Sequence, residues 1–183
     1  MSIQFSNYCM EAELSYEGRR YDWCVFAGAE KEMIDRIASI TYHLHPTFPN
    51  PTRIATNKEH RFPLVSSGWG EFSVGIKIEF TDGSRESTSY WLRLREDNWP
   101  KKAPPTQFAT DNHAAVYGVL AEGTYRWRKL ETLIKKTGLV ESAVCKILQE
   151  LEDADLARKS YLRSIEGQEM WGATMLVGVL PRL

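Results

Sequence analysis

Phe72-Ser-Val-Gly-Ile-Lys-Ile-Glu-Phe80 decides the fold class of this chain. Apolar residues at 72, 74, 76, 78 and 80 alternate with small or charged ones. That is the period of a strand with one face buried. Asp82-Gly83 follows, a turn pair that tolerates positive φ. Ser89-Tyr-Trp-Leu-Arg-Leu-Arg95 reads as the returning strand, so the two runs predict a hairpin with a loop somewhat longer than two residues. Upstream, residues 21–26 (Tyr-Asp-Trp-Cys-Val-Phe) and 39–44 (Ser-Ile-Thr-Tyr-His-Leu) also read as strands. In the second, Ile40, Tyr42 and Leu44 share one face, and Thr41 and His43 the other. One more strand is expected within the first fifteen residues. Short strands parted by Gly, Pro and Asn turns predict an antiparallel sandwich.

The period changes near residue 100. Asn98-Trp-Pro-Lys-Lys-Ala-Pro-Pro105 holds three prolines in eight residues and resists both helix and sheet. The division expected is a sandwich over 1–98, a Pro-rich linker over 99–106 and a second domain over 107–183. In that second domain Asp111 or Asn112 is expected to cap a helix carrying Val116, Val119 and Leu120, ending at Gly123. Leu130, Leu133 and Ile134 mark a second helix stopped by Gly138, and Val144, Ile147, Leu148 and Leu151 a third. A short strand is expected at 124–127, and strand-like pieces between 156 and 177 around a Glu166-Gly167 turn. Helix, short strand, helix, turn, helix, hairpin is the order of a winged helix-turn-helix, a small α+β domain.

The 183 residues include 23 Lys and Arg against 24 Asp and Glu, for a formal charge of −1. No strong basic or acidic balance points to nucleic acid or to a basic partner. Cys9, Cys24 and Cys145 are odd in number and lack C-x-x-C spacing, so neither a disulfide scaffold nor a Cys-rich zinc site is expected. The opening Met-Ser-Ile-Gln-Phe-Ser has no basic start and apolar run, and no stretch approaches the ~20 apolar residues of a spanning helix. A cytoplasmic protein without a membrane partner is the expectation. His43, His45 and His60 offer metal-ligating nitrogens, but no third ligand of the right kind lies nearby, so no metal is expected. No G-x-S-x-G elbow, phosphate loop or reasoned carboxylate pair appears. A non-catalytic protein without a cofactor follows as the expectation.

Two loops carry the functional signal. Leu44-His-Pro-Thr-Phe-Pro-Asn-Pro-Thr-Arg53 leaves a strand with three prolines in six residues. Such a loop is stiff, so ordering it on binding costs little. Ser67-Gly-Trp-Gly-Glu-Phe72 sets an indole between two glycines, which let backbone approach closely while the ring covers a ligand.

With these pieces in order, together with Asp22-Trp23 and the alternating strand to Phe80, residues 20–95 resemble a YEATS domain. The resemblance covers about half the chain. It implies an immunoglobulin-like sandwich that reads acylated lysine in a cleft open at both ends. By resemblance, Phe48 and Trp69 are the aromatic walls around the flat amide and acyl chain. Thr47 supplies the hydroxyl that meets the amide, His45 orients it, and the backbone of Gly68, Trp69 and Gly70 offers further partners. Arg19 stands where many members carry an aromatic. It would stack on a ring or amide plane, or select an anionic ligand. YEATS-like domains also occur in prokaryotic proteins beside signalling or regulatory modules, so the acylated ligand need not be a histone tail.

For the second domain, fold alone does not license DNA binding. Residues 105–183 carry ten Lys/Arg and ten Asp/Glu. The outer face of the third helix is expected to show Glu141, Ser142, Lys146, Gln149 and Glu150, whose acids phosphate would repel. Arg126, Arg128, Lys129, Lys135 and Lys136 cluster around the second helix. Lys146 with Arg158, Lys159 and Arg163 of the wing are the candidate phosphate contacts. The reading is a two-part sensor: a sandwich that reads an acyl-lysine or similar flat ligand, joined to a module that engages DNA, a protein partner or a second copy. The alternative is a DNA-binding transcription regulator whose sandwich only scaffolds or dimerises.

Overall fold

The structure, a computed structural model, describes residues 3–11, 20–94, 97–123, 125–160, 164 and 167–179. Two compact units divide between Asn98 and Trp99.

The first unit is built of two antiparallel sheets. One has the order β1-β2-β5: β1 (Gln4–Glu11), β2 (Tyr21–Gly28) and β5 (Leu64–Gly68). The other has the order β4-β3-β6-β7: β4 (Thr52–Ala55), β3 (Ile37–His43), β6 (Ser73–Phe80) and β7 (Arg85–Trp91). A short helix, α1 (Lys31–Asp35), links β2 to β3. The alternation that predicted β6 is the alternation observed: Val74, Ile76, Ile78 and Phe80 are buried. Ile40 and Tyr42 of β3 join them, with Leu44 just after it, and Trp23, Val25 and Ala27 of β2, to form one core. The hairpin turn occupies 81–84, beyond the Glu79–Arg85 pair, with Gly83 at positive φ. Asp82 closes it by accepting from the Ser84 hydroxyl at 2.6 Å and its N–H at 2.9 Å. These bonds hold the Asp82 carboxyl below the usual carboxylate range.

Some boundaries differ from the sequence expectation, for physical reasons. β7 starts at Arg85 rather than Ser89, because Arg-Glu-Ser-Thr is exposed on both faces and buries no side chain. A strand without a buried face leaves no period to read. β4 and β5 are too short, at four and five residues, to display one.

Tyr42 ties the core to the irregular stretch before β5. Its phenol is fully buried and donates to the Phe62 carbonyl at 2.8 Å. Burial holds that phenol far above its ordinary pKa. Arg61 and Phe62 both have positive φ, which a non-glycine residue keeps only when held. Tyr42→Phe should therefore cost about 1–2 kcal/mol in urea unfolding, by leaving a buried carbonyl without its donor.

The second unit begins with Trp99 and runs to Val179. It contains α2 (Asp111–Ala121), β8 (Arg128–Lys129), α3 (Leu130–Thr137), α4 (Glu141–Asp153), β9 (Ala157–Lys159), β10 (Met170–Ala173) and α5 (Thr174–Val177). Its sheet is antiparallel, in the order β8-β10-β9. Val116, Val119, Leu120, Leu133, Val144, Ile147, Leu148 and Leu151 close its core, on the helical faces that their spacing requires. Gly138 ends α3 in the left-handed region, as expected. The cap of α2 is Thr110, not Asp111 or Asn112; its hydroxyl accepts from the His113 N–H at 3.3 Å. The short strand lies at Arg128–Lys129 rather than 124–127, and Glu166 lies outside the described residues. The stretch 99–106 is fastened to this unit. Trp99 is buried, Pro100 accepts from the Val179 N–H at 2.8 Å, and Lys102 donates to the Ala154 carbonyl at 2.6 Å. Among the described residues no helix is long and apolar enough to cross a membrane.

Candidate functional site

The proline-rich loop closes on itself at its base, where the Leu44 N–H donates to Pro51 O at 2.7 Å. Inside it the Phe48 N–H donates to His45 O at 3.0 Å, and Asn50 takes the left-handed conformation asparagine tolerates. Nδ1 of His45 lies 2.9 Å from the Thr47 hydroxyl and 3.4 Å from the Thr47 N–H. Both bonds exist together only when Nδ1 is the unprotonated ring nitrogen. The hydroxyl then donates its hydrogen bond to the ring and keeps its lone pairs for an incoming N–H donor. His45 and Thr47 are exposed.

Phe48 turns inward, half-buried, and meets Trp23 edge-on at 6.1 Å between ring centroids and Phe72 at 5.3 Å. A Cβ placed on Gly68 would touch the Phe48 ring at 3.4 Å. The bare backbone of Gly68, the last residue of β5, is thus the surface on which the loop aromatic rests. This packing brings the segments 45–48 and 67–70 together. The two glycines beside Trp69 differ: a Cβ on Gly70 would meet nothing within 4 Å, so close approach is a property of Gly68 alone.

Trp69 is 81% exposed. Its ring makes no stacking contact with Phe48; the aromatic partners of Phe48 among the described residues are Trp23 and Phe72. The expected pair of facing walls is therefore one wall anchored in the core edge and one ring standing open to solvent. Arg19 lies outside the described residues.

Sequence reasoning missed Arg53. From β4 its guanidinium donates to Asn50 O at 3.2 Å, Pro49 O at 3.3 Å and Val65 O at 3.2 Å. It staples the loop to β5, the strand that ends at Gly68. Partial burial lowers its pKa from the ordinary range without removing its charge. The available signal was an arginine right after a Pro-Asn-Pro-Thr turn, where the Pro49 and Asn50 carbonyls precede the strand and are left to a side-chain donor. A cleft of about 890 Å³ lies apart from this loop site. Asn7, Tyr8, Phe26, Tyr90, Trp91 and Arg93 are among its lining residues, and no loop-site residue is.

The candidate phosphate contacts of the second unit separate. Arg158 is a correction: it is buried, with its guanidinium 4.9 Å from the rings of both Trp99 and Trp127. It donates to Gly178 O at 3.1 Å and Val177 O at 2.6 Å, so it is spent on the fold. Arg128 is likewise buried, donating to Tyr125 O and Glu122 O. Lys159 pairs with Glu169, and Arg163 lies outside the described residues. Lys146 is exposed, 3.7 Å from Glu150, which also meets His113 at 2.7 Å. Among the described residues no group of three or more His, Cys, Asp or Glu is placed to hold a metal ion.

An antiparallel two-sheet unit with a stiff proline loop laid across an aromatic edge is what this geometry defines. Residues 21–93 match the family model of the prokaryotic YEATS domain. Curated relatives align over part of the chain. The Protein AF-9 homolog of Candida glabrata is 39% identical over 70 residues, which is 38% of this chain and 31% of that protein. The Saccharomyces cerevisiae Protein AF-9 homolog is 33% identical over 85 residues, 45% of this chain and 37% of that one. Transcription initiation factor TFIID subunit 14 of Schizosaccharomyces pombe is 32% identical over 77 residues, 42% and 31% respectively. The chain spans about a third of the length of these relatives. Among solved structures, the Yaf9 YEATS domain recognizing an H3K122suc peptide matches at 22% identity and TM-score 0.42, covering 53% of this chain and 80% of that one. The Yaf9 YEATS domain bound to H3K27ac matches at 21% and 0.41, covering 52% and 78%.

Proposed function

We propose that the first unit is a non-catalytic reader of acylated lysine, or of a ligand with the same flat acyl-amide chemistry. The observation that carries this reading is the placement of the Phe48 ring on Gly68, directly before the exposed Trp69. A planar amide laid between the Phe48 edge and a Trp69 ring swung over it would gain contact on both faces, of order 1 kcal/mol per aromatic contact beyond area burial. Thr47, held by His45, would accept the ligand N–H. The backbone of Gly68, Trp69 and Gly70 would supply partners for its carbonyl. Arg19 is the residue proposed to favour acyl chains that end in an anion. The match of residues 21–93 to the prokaryotic YEATS model supports the same reading.

The second unit is proposed to be a winged-helix interaction module that couples this reading to a partner. The helix, strand, helix, helix, hairpin order and the β8-β10-β9 sheet support it. With Arg158 buried and α4 exposing Glu141 and Glu150, a protein partner suits this module better than DNA.

The test is a titration of the full chain with acetyl-, crotonyl- and succinyl-lysine peptides, beside Thr47→Val. Removing the hydroxyl should weaken binding about tenfold, the worth of one net hydrogen bond, with no change in fold. Equal affinity of Thr47→Val and the parent chain would remove Thr47 from the site.

A further inference from the structure

The four edges of the two sheets in the first unit are not alike. On β1, Asn98 occupies both backbone groups of Cys9: its side chain accepts from the Cys9 N–H at 2.9 Å and its N–H donates to the Cys9 carbonyl at 3.1 Å. On β5, the Val65 carbonyl is taken by Arg53 at 3.2 Å. β4 is four residues long and starts right after Pro51. β7 has none of these protections. It is seven residues long, has no proline, pairs with β6 without a register shift and is exposed at six of its seven positions. A long straight edge of this kind is a template for another strand.

The hydrogen bonds at the two ends of the hairpin fix which groups it offers. The Leu92 N–H donates to Phe72 O at 2.9 Å and the Phe80 N–H to Ser84 O at 2.9 Å. In an antiparallel ladder the hydrogen-bonded pairs alternate, so 86, 88 and 90 bond inward to β6. The N–H and C=O groups of Arg85, Ser87, Ser89 and Trp91 therefore point outward. Among the described residues β7 pairs with β6 alone.

We propose that the occupant of this edge is a second copy of the chain, with β7 antiparallel to β7 about a two-fold axis at Thr88. The sequence of the strand is complementary to its own reverse in that register. Arg85 of one copy lies opposite Trp91 of the partner subunit, on the outer face, as a cation–π pair. Ser87 faces Ser89 of the partner subunit, and Thr88 faces Thr88 of the partner subunit, pairings that stabilise sheets. The outward groups at 85, 87, 89 and 91 then all find partners, while Thr88 falls at a position with no bond across the seam. Sliding the register by two in one direction sets Arg85 against Arg93 of the partner subunit, a like-charge clash. Sliding it in the other direction carries Trp91 past the strand into the 81–84 turn. Only the Thr88 register uses the full strand. The pairing covers Trp91, which is 55% exposed in the single chain, and joins two four-stranded sheets into one. An isologous contact of this kind closes on itself and stops at two copies.

The experiment is sedimentation velocity on the full chain with two variants. Ser89→Pro deletes an outward N–H and leaves the ladder with β6 intact. Thr88→Cys, in a Cys145→Ser background, puts two thiols across the axis at a non-hydrogen-bonded pair, where Cα atoms lie about 4.5 Å apart, within disulfide reach. The expected results are a concentration-dependent species of twice the chain mass, its loss in Ser89→Pro, and an intermolecular disulfide in oxidised Thr88→Cys that Ser87→Cys does not form. A monomer at every concentration, a dimer untouched by Ser89→Pro, or Thr88→Cys that fails to cross-link would each overturn the proposal. If Ser89→Pro misfolds by circular dichroism, the Thr88→Cys result decides alone.

Discussion

Trp69→Ala is expected to weaken acyl-lysine binding by at least about 2 kcal/mol, roughly thirtyfold in Kd, while the melting temperature stays where it was. The separation of the two readouts follows from exposure. A ring that is 81% exposed contributes little to the folded state, so its removal leaves no cavity. Only a ligand that uses the ring face can register its loss. Phe48→Ala makes the informative contrast. Its ring packs on Trp23, Phe72 and the Gly68 backbone, so truncation should cost about 2 kcal/mol of stability as well as the binding. Calorimetric titration and thermal melts on both variants check the pair. Unchanged binding in Trp69→Ala would take the indole out of the site whatever Phe48 does.

Gly178→Ala carries the largest expected effect on stability, at least about 3 kcal/mol. Gly178 has φ of 72° and ψ of 163°, a region that side chains scarcely enter. An added Cβ would also land 1.9 Å from Cδ1 of Trp99, so the indole has to leave. Trp99 donates from its ring N–H to Val179 O at 2.7 Å and stacks on Arg158, which in turn holds the carbonyls of Val177 and Gly178. One methyl group therefore strikes an indole, a buried guanidinium and the end of α5 together. Urea unfolding followed by hydrogen exchange should show lost protection in α2, α3 and α4. Wild-type stability in this variant would mean that the Trp99–Arg158–Trp127 stack does not hold the second unit together.

What could be read from the chain beforehand follows from where each signal is local. The alternation at 72–80 and the spacing of Val144, Ile147, Leu148 and Leu151 are periods imposed by burial, and burial follows them from Val74 to Phe80 and along α4. Edge elements have no such period. β7 was legible only at Ser89, Tyr90 and Trp91, ahead of the buried Leu92, so its first residues were missed. The loop site was legible as two stiff, glycine- and proline-marked segments. Its geometry was not, because the contact between Phe48 and Gly68 joins residues twenty apart. Arg158 shows the reverse error. A charge near a β-turn reads as solvent-facing, yet two indoles and two carbonyls make its burial favourable, and those partners lie as much as 59 positions away in sequence.

The most direct test is a calorimetric titration of the full chain with two peptides identical except for acylation of one lysine. Saturable binding of the acylated peptide, with the free-amine peptide giving no heat above dilution, is the predicted result. Equal binding of both, or of neither across the acetyl, crotonyl and succinyl forms, would contradict a site built to hold a flat neutral amide against Phe48 and Trp69.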